Sequence, residues 1–118
     1  MGLDISFYAT TTNAVSEDAD CGFKVRRKVY DIQHEFGYFR GDSNLRDIIF
    51  EYYVSNGGTE TKGEFNCMDL RVTQNLVNYV RKKYQPTYDY YKELMKTLKQ
   101  AEEYMRNEQL ALYCNCWW

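Results

Sequence analysis

Arg40 stands between Phe39 and Gly41, two residues beyond Tyr38 and directly ahead of the capping-type residues Asp42, Ser43 and Asn44. An arginine fork at the entry to a helix suits a carboxylate or a phosphate, with the first helical amides as additional donors. The competing role is structural: an ion pair with an internal acid, for which Glu64 is the candidate, or stacking on a neighbouring ring. Both roles predict partial burial of Arg40. His34 is the only histidine and so the one side chain whose ordinary pKa lies near neutrality, which makes it the candidate acid or base. No serine elbow and no cysteine in a catalytic context accompanies it, so no triad can be assembled and no catalytic residue is assigned. Tyr38, Arg40, His34 and Glu64 form the candidate ligand-binding set. Asp4, Asp42 and Glu64 are the carboxylates that a bound cation would need to gather, but isolated acids of this kind ordinarily cap helices or face solvent.

The cysteines are Cys21, Cys67, Cys114 and Cys116, without a Cys-x-x-Cys pair. Cys114 and Cys116, two apart on a strand, point to the same side and do not make a tetrahedral loop, so neither a metal nor a cofactor is expected. The chain has 12 tyrosines and 6 phenylalanines, and aromatic residues make up 17% of it. Much of the core must therefore be ring, with tyrosine hydroxyls at its rim or at a contact surface. Tyr113, Trp117 and Trp118 are the candidate interaction residues. One tryptophan of the alternating pair should face the core and the other the outer sheet face, where it would mark a contact, a homodimer through the sheet edge being the simplest form. The alternative places both rings under a long helix.

A net charge of -2 and a pI near 5.4 argue against holding nucleic-acid phosphates by bulk charge. Lys24, Arg26, Arg27 and Lys28 form a local basic cluster with Tyr30 nearby, a solvated strand face or a nucleic-acid patch. The start, Met-Gly-Leu-Asp-Ile-Ser, carries no basic segment and no apolar run, and no segment approaches membrane-spanning length, so the expected setting is a reducing cytoplasm with free thiols and no membrane.

These side chains need elements to hold them. The chain's 118 residues suit one domain. Leu3, Ile5, Phe7 and Ala9 alternate with polar residues and predict a first strand. Phe23, Val25 and Arg27 predict a second; 30–39 reads either as a short helix ending at Gly37 or as the strand continuing into a loop. Leu45, Ile48, Ile49, Tyr52 and Tyr53 form one helical stripe, ended at Asn56-Gly57-Gly58. Residues 63–68 read as a short strand or extended segment. A second helix is expected over 69–84, stopped by Pro86, and a third from an N-cap at Thr87 to about Glu108. Leu110 to Cys116 closes the chain as an apolar strand. The expected fold is α+β: a small antiparallel or mixed sheet, first and last strands paired, with about three helices on one face.

Met1-Gly-Leu-Asp4, Gly37-Tyr-Phe-Arg40 before one apolar helix, Gly63-Glu-Phe-Asn-Cys67 before another, and a terminal tryptophan together resemble a group of small phage and bacterial proteins. Those open with Met-Gly-Leu-Asp, carry a Tyr-Trp-Arg-Lys-like motif ahead of a helix and a Cys-Gly-Glu-Tyr-like segment, and end on an aromatic strand. Phe39, Gly41 and the position of Cys67 depart from that pattern. The resemblance implies an origin in phage or mobile DNA and a cytoplasmic life in a bacterial host; it implies no activity. The expected function is a non-enzymatic binding protein that occupies a host or phage protein, or sequesters a small anionic ligand, in counter-defence or host takeover. The alternative is a small enzyme acting on a nucleotide or phosphate ester with Arg40 as anchor and His34 as acid or base. Nucleic-acid binding through Lys24 to Lys28 ranks third.

Overall fold

The computed structural model describes residues 2–11, 34–66 and 69–118. The strand expected around Phe23 to Arg27, the basic cluster Lys24 to Lys28, Cys21 and Cys67 lie outside them. The elements run β1 (Asp4–Thr11), β2 (His34–Arg40), α1 (Ser43–Ser55), α2 (Lys62–Phe65), β3 (Asp69–Arg71), α3 (Gln74–Lys83), α4 (Tyr91–Tyr104) and β4 (Leu110–Trp117). The described strands form one antiparallel sheet in the order β2-β1-β4-β3. The first and last strands pair along their whole length, from Asp4 opposite Trp117 to Thr11 opposite Leu110. The pair sits at the centre of the sheet, and this explains why β4 is apolar on both sides.

The alternation in β1 sends Ile5, Phe7 and Ala9 toward the helices, where they meet Phe39, Leu70, Leu112, Cys114 and Cys116 from neighbouring strands. Leu45, Ile49, Tyr52 and Tyr53 of α1, Leu76, Val77 and Val80 of α3, and Leu94, Leu98 and Ala101 of α4 complete this core. The α1 stripe is as its periodicity predicts, and its N-cap is Asp42, whose carboxylate accepts the Leu45 N–H at 3.1 Å.

Three expectations need correction, and one open alternative is decided. Of the two readings of 30–39 the strand holds over 34–40, and Gly37 is no helix end: a Cβ there would lie 2.5 Å from Cγ2 of Thr97, so the glycine lets α4 press onto β2. Residues 62–65 are a helical turn and not extended, because Thr61 and Glu64 form a reciprocal capping box. The segment 69–84 begins as β3, laid against β4, and becomes α3 only after the N-cap Thr73, which accepts the Leu76 N–H. The last helix starts at Tyr91 and not at Thr87, so it is shorter than its stripe suggested; the described residues hold four helices, α2 being a single turn.

Candidate functional site

Side chains of one register row share a sheet face, so the outer face can be read from the pairing. Arg40, Asp4 and Trp117 form one row across β2, β1 and β4; Tyr38, Ser6 and Asn115 form the next, extended by Asp69 of β3. After a bulge between Phe7 and Tyr8, Glu35, Tyr8, Tyr113 and Arg71 make a third.

The two ends of this face differ. Over β1 and β4 it is buried from Tyr8 onward, and the burial reaches Asp69 at the β3 end of the preceding row: Tyr8, Thr10, Ala111, Tyr113 and Asp69 are all largely removed from solvent. Here the Tyr8 hydroxyl meets the Asp69 carboxylate, and burial first, then that carboxylate, raises the phenol far above its ordinary range. Asn115 donates to Asp69 at 2.8 Å. Toward Asp4 the face is open. Among the described residues the exposed large apolar side chains are Tyr38, Val54 and Trp117, and two of them, Tyr38 at 50% and Trp117 at 61%, stand on this half. The Tyr38 hydroxyl donates to Oδ1 of Asp4 at 2.5 Å, and this bond is the leading cause of its raised pKa.

Local structure positions Arg40 from behind. Gly41, at φ 72°, turns the chain out of β2 while its N–H donates to Leu3 O at 2.7 Å. Tyr90 packs edge-on against Phe39 and donates to Arg40 O at 3.0 Å. Tyr84 donates to the second oxygen of the Asp42 cap at 2.6 Å. The backbone at Arg40 is therefore clamped from the helix side, and its side chain lies on the outer face.

The structure thus brings Tyr38, Arg40 and Trp117 together and separates the other candidates. Arg40 is exposed, not partly buried. It makes no ion pair with Glu64, whose carboxylate instead accepts the Thr61 N–H at 2.9 Å in the capping box. Nor is the start of α1 an anion site, because Asp42 already supplies a carboxylate to it. His34 lies at the opposite end of β2, exposed and edge-on to Tyr104 of α4. Six residues of strand put it roughly 20 Å from Arg40, on the helix side of the sheet, so the two share no site. Tyr113 is fully buried and offers no surface to a partner. The tryptophans divide as the alternation predicts: Trp117 is on the outer face, while Trp118 packs against the core with Arg46 over its ring at 5.2 Å and its backbone held in both directions by Asn66.

Asp4, Asp42 and Glu64 do not meet, and the described residues contain no cluster of His, Cys, Asp or Glu fit to hold a metal. Cys114 and Cys116 are free and buried, and burial pushes the Cys116 thiol up to about 12. Among the described residues no helix is long and apolar enough to cross a membrane. A depression of 460 Å³ at α3 and α4 is lined by Gln74, Lys99, Glu102, Glu103, Met105 and Arg106. Its Glu102 carboxylate is already taken by Arg81 at 2.6 Å and Gln74 at 2.8 Å.

Sequence reasoning missed Ser6 and Asn115 as neighbours of the aromatic pair, since only the strand register assigns them to the face. Compared with family models, curated proteins and solved structures, the chain matches none.

Proposed function

We propose that this chain is a non-enzymatic protein-binding domain whose contact surface is the open half of the outer sheet face. The observation that carries this reading is the placement of Tyr38, Arg40 and Trp117 on one face around Asp4, with both rings exposed. Tryptophan, tyrosine and arginine are the residue types that dominate binding energy at protein interfaces, because they combine large buried area with directional polar groups. Their preorganisation supports it further. Strands β1 and β4 are central, and Tyr90 and Tyr84 fix the turn beyond Arg40.

A protein partner is preferred over a small anion. An anion on Arg40 would lie beside the Asp4 carboxylate, whereas a protein surface can meet the cation, the carboxylate and the rings with separate groups. The enzyme reading loses its support because His34 and Arg40 stand on opposite sides of the sheet. The resemblance to small phage and bacterial proteins suggests a bacterial cytoplasm as the setting and counter-defence or host takeover as the role.

The test is retention of proteins from a bacterial lysate on immobilised chain, compared with Trp117→Ala and Arg40→Ala. A protein held by the wild type and lost by both variants, at unchanged melting temperature, supports the reading. Equal retention by all three contradicts it.

A further inference from the structure

Arg40 and Asp4 stand directly opposite each other on adjacent strands, yet among the described residues no hydrogen bond or ion pair engages the Arg40 guanidinium. Asp4 turns one oxygen to the Tyr38 hydroxyl instead. A cation and an anion are thus presented side by side, about 4.8 Å apart in strand spacing, and both point away from the sheet. Such a pair is self-complementary. A two-fold axis parallel to the strands and passing between β2 and β1 lays each Arg40 on the other copy's Asp4, which is what an isologous contact requires.

The next row obeys the same operation. Tyr38 on β2 lies beside the small Ser6 on β1, so the rotation sets each large ring over the other copy's small residue. Trp117, one strand further on, lies at the periphery of the contact.

We infer that, when no other partner is bound, the open half of the outer face is covered by the same face of a second copy of this chain through reciprocal Arg40–Asp4 contacts. The inference rests on the reading of this face as the contact surface, and adds to it a competition: self-association and partner binding exclude each other. The open rows present only Asp4, Ser6, Tyr38, Arg40, Asn115 and Trp117, against the roughly 20–30 residues a side of a stable complex, so the dimer is weak enough for a better-fitting partner to displace.

Sedimentation equilibrium of the full chain from about 10 µM to about 1 mM, the range of weak association, is the test. The mean mass should rise from 14.1 kDa toward twice that value, and less so in high salt, which screens the charge pairs. Arg40→Glu and Asp4→Arg should each abolish the rise, and the double variant Arg40→Glu/Asp4→Arg should restore it. Because Asp4→Arg also removes the acceptor of the Tyr38 hydroxyl, Asp4→Asn, which keeps an oxygen there, provides a second variant and should weaken association at least threefold. A monomer at every concentration, or a dimer indifferent to these reversals, overturns the inference. If the monomer still retains a lysate protein that Trp117→Ala loses, the contact-surface reading stands without it; if that retention also fails, both fall.

Discussion

At the scale of single residues, tyrosines do two kinds of work. Tyr84 is buried and turns its hydroxyl to Asp42, and together burial and that carboxylate hold its pKa well above the ordinary phenol value. Tyr84→Phe keeps the ring but leaves one oxygen of a buried carboxylate without this donor, and should cost about 1–3 kcal/mol in denaturant unfolding. Tyr38, Arg40 and Trp117 contribute little to packing, so Arg40→Ala and Trp117→Ala should each change stability by less than about 1 kcal/mol in the same measurement. That contrast marks a contact residue. Alternation anticipates the split between Trp117 and Trp118, and the structure chooses it over the placement of both rings under a long helix. The exposure of Arg40 was not legible, because it follows from β2 being strand through Phe39: with Phe39 inward, Tyr38 and Arg40 must both face out. Gly37 hid that by resembling a helix terminus, while its real cause is the approach of Thr97 from distant α4.

At the scale of elements, the glycine can be tested directly. Gly37→Ala should destabilise by about 1–3 kcal/mol through overpacking, and adding Thr97→Ala should recover part of the loss; a simple sum of the two single effects would show that the contact is not limiting. The joint between α3 and α4 carries an ion pair at its rim, Arg81 to Glu102 at 2.6 Å. Arg81 and then Gln74 hold the Glu102 carboxyl below its usual range. A depressed carboxyl contributes stability that is present above its unfolded pKa, near 4.5, and is lost as pH falls through the folded value. Wild type should therefore lose a small increment of stability below about pH 4.5 that Glu102→Gln lacks, small because Arg81 is exposed and Glu102 only half-buried, so water screens the pair. Strands β1 and β4 and the stripe of α1 were legible because each has a long, unbroken period. β3 was not: Asp69, Leu70 and Arg71 are too few to show alternation, and only pairing with β4 makes them strand. α2 was missed although Thr61 and Glu64 spell its capping box, since Gly63 and the shortness of the turn outweigh that signal.

At the scale of the whole molecule, the sheet separates two tasks. One face packs against all the stabilising apolar stripes, and the other is buried at the Tyr8 end and open at the Asp4 end. Changes to the open end can therefore alter association without altering the fold. That independence is tested by retention of lysate proteins on two variants that differ only in which surface they alter. One is Arg40→Ala/Trp117→Ala on the open sheet face; the other is Lys92→Ala/Glu93→Ala on the exposed side of α4. A protein bound by the wild type should be lost from the first and kept by the second, at equal melting temperatures. Retention by the sheet-face variant together with loss from the α4 variant would contradict it.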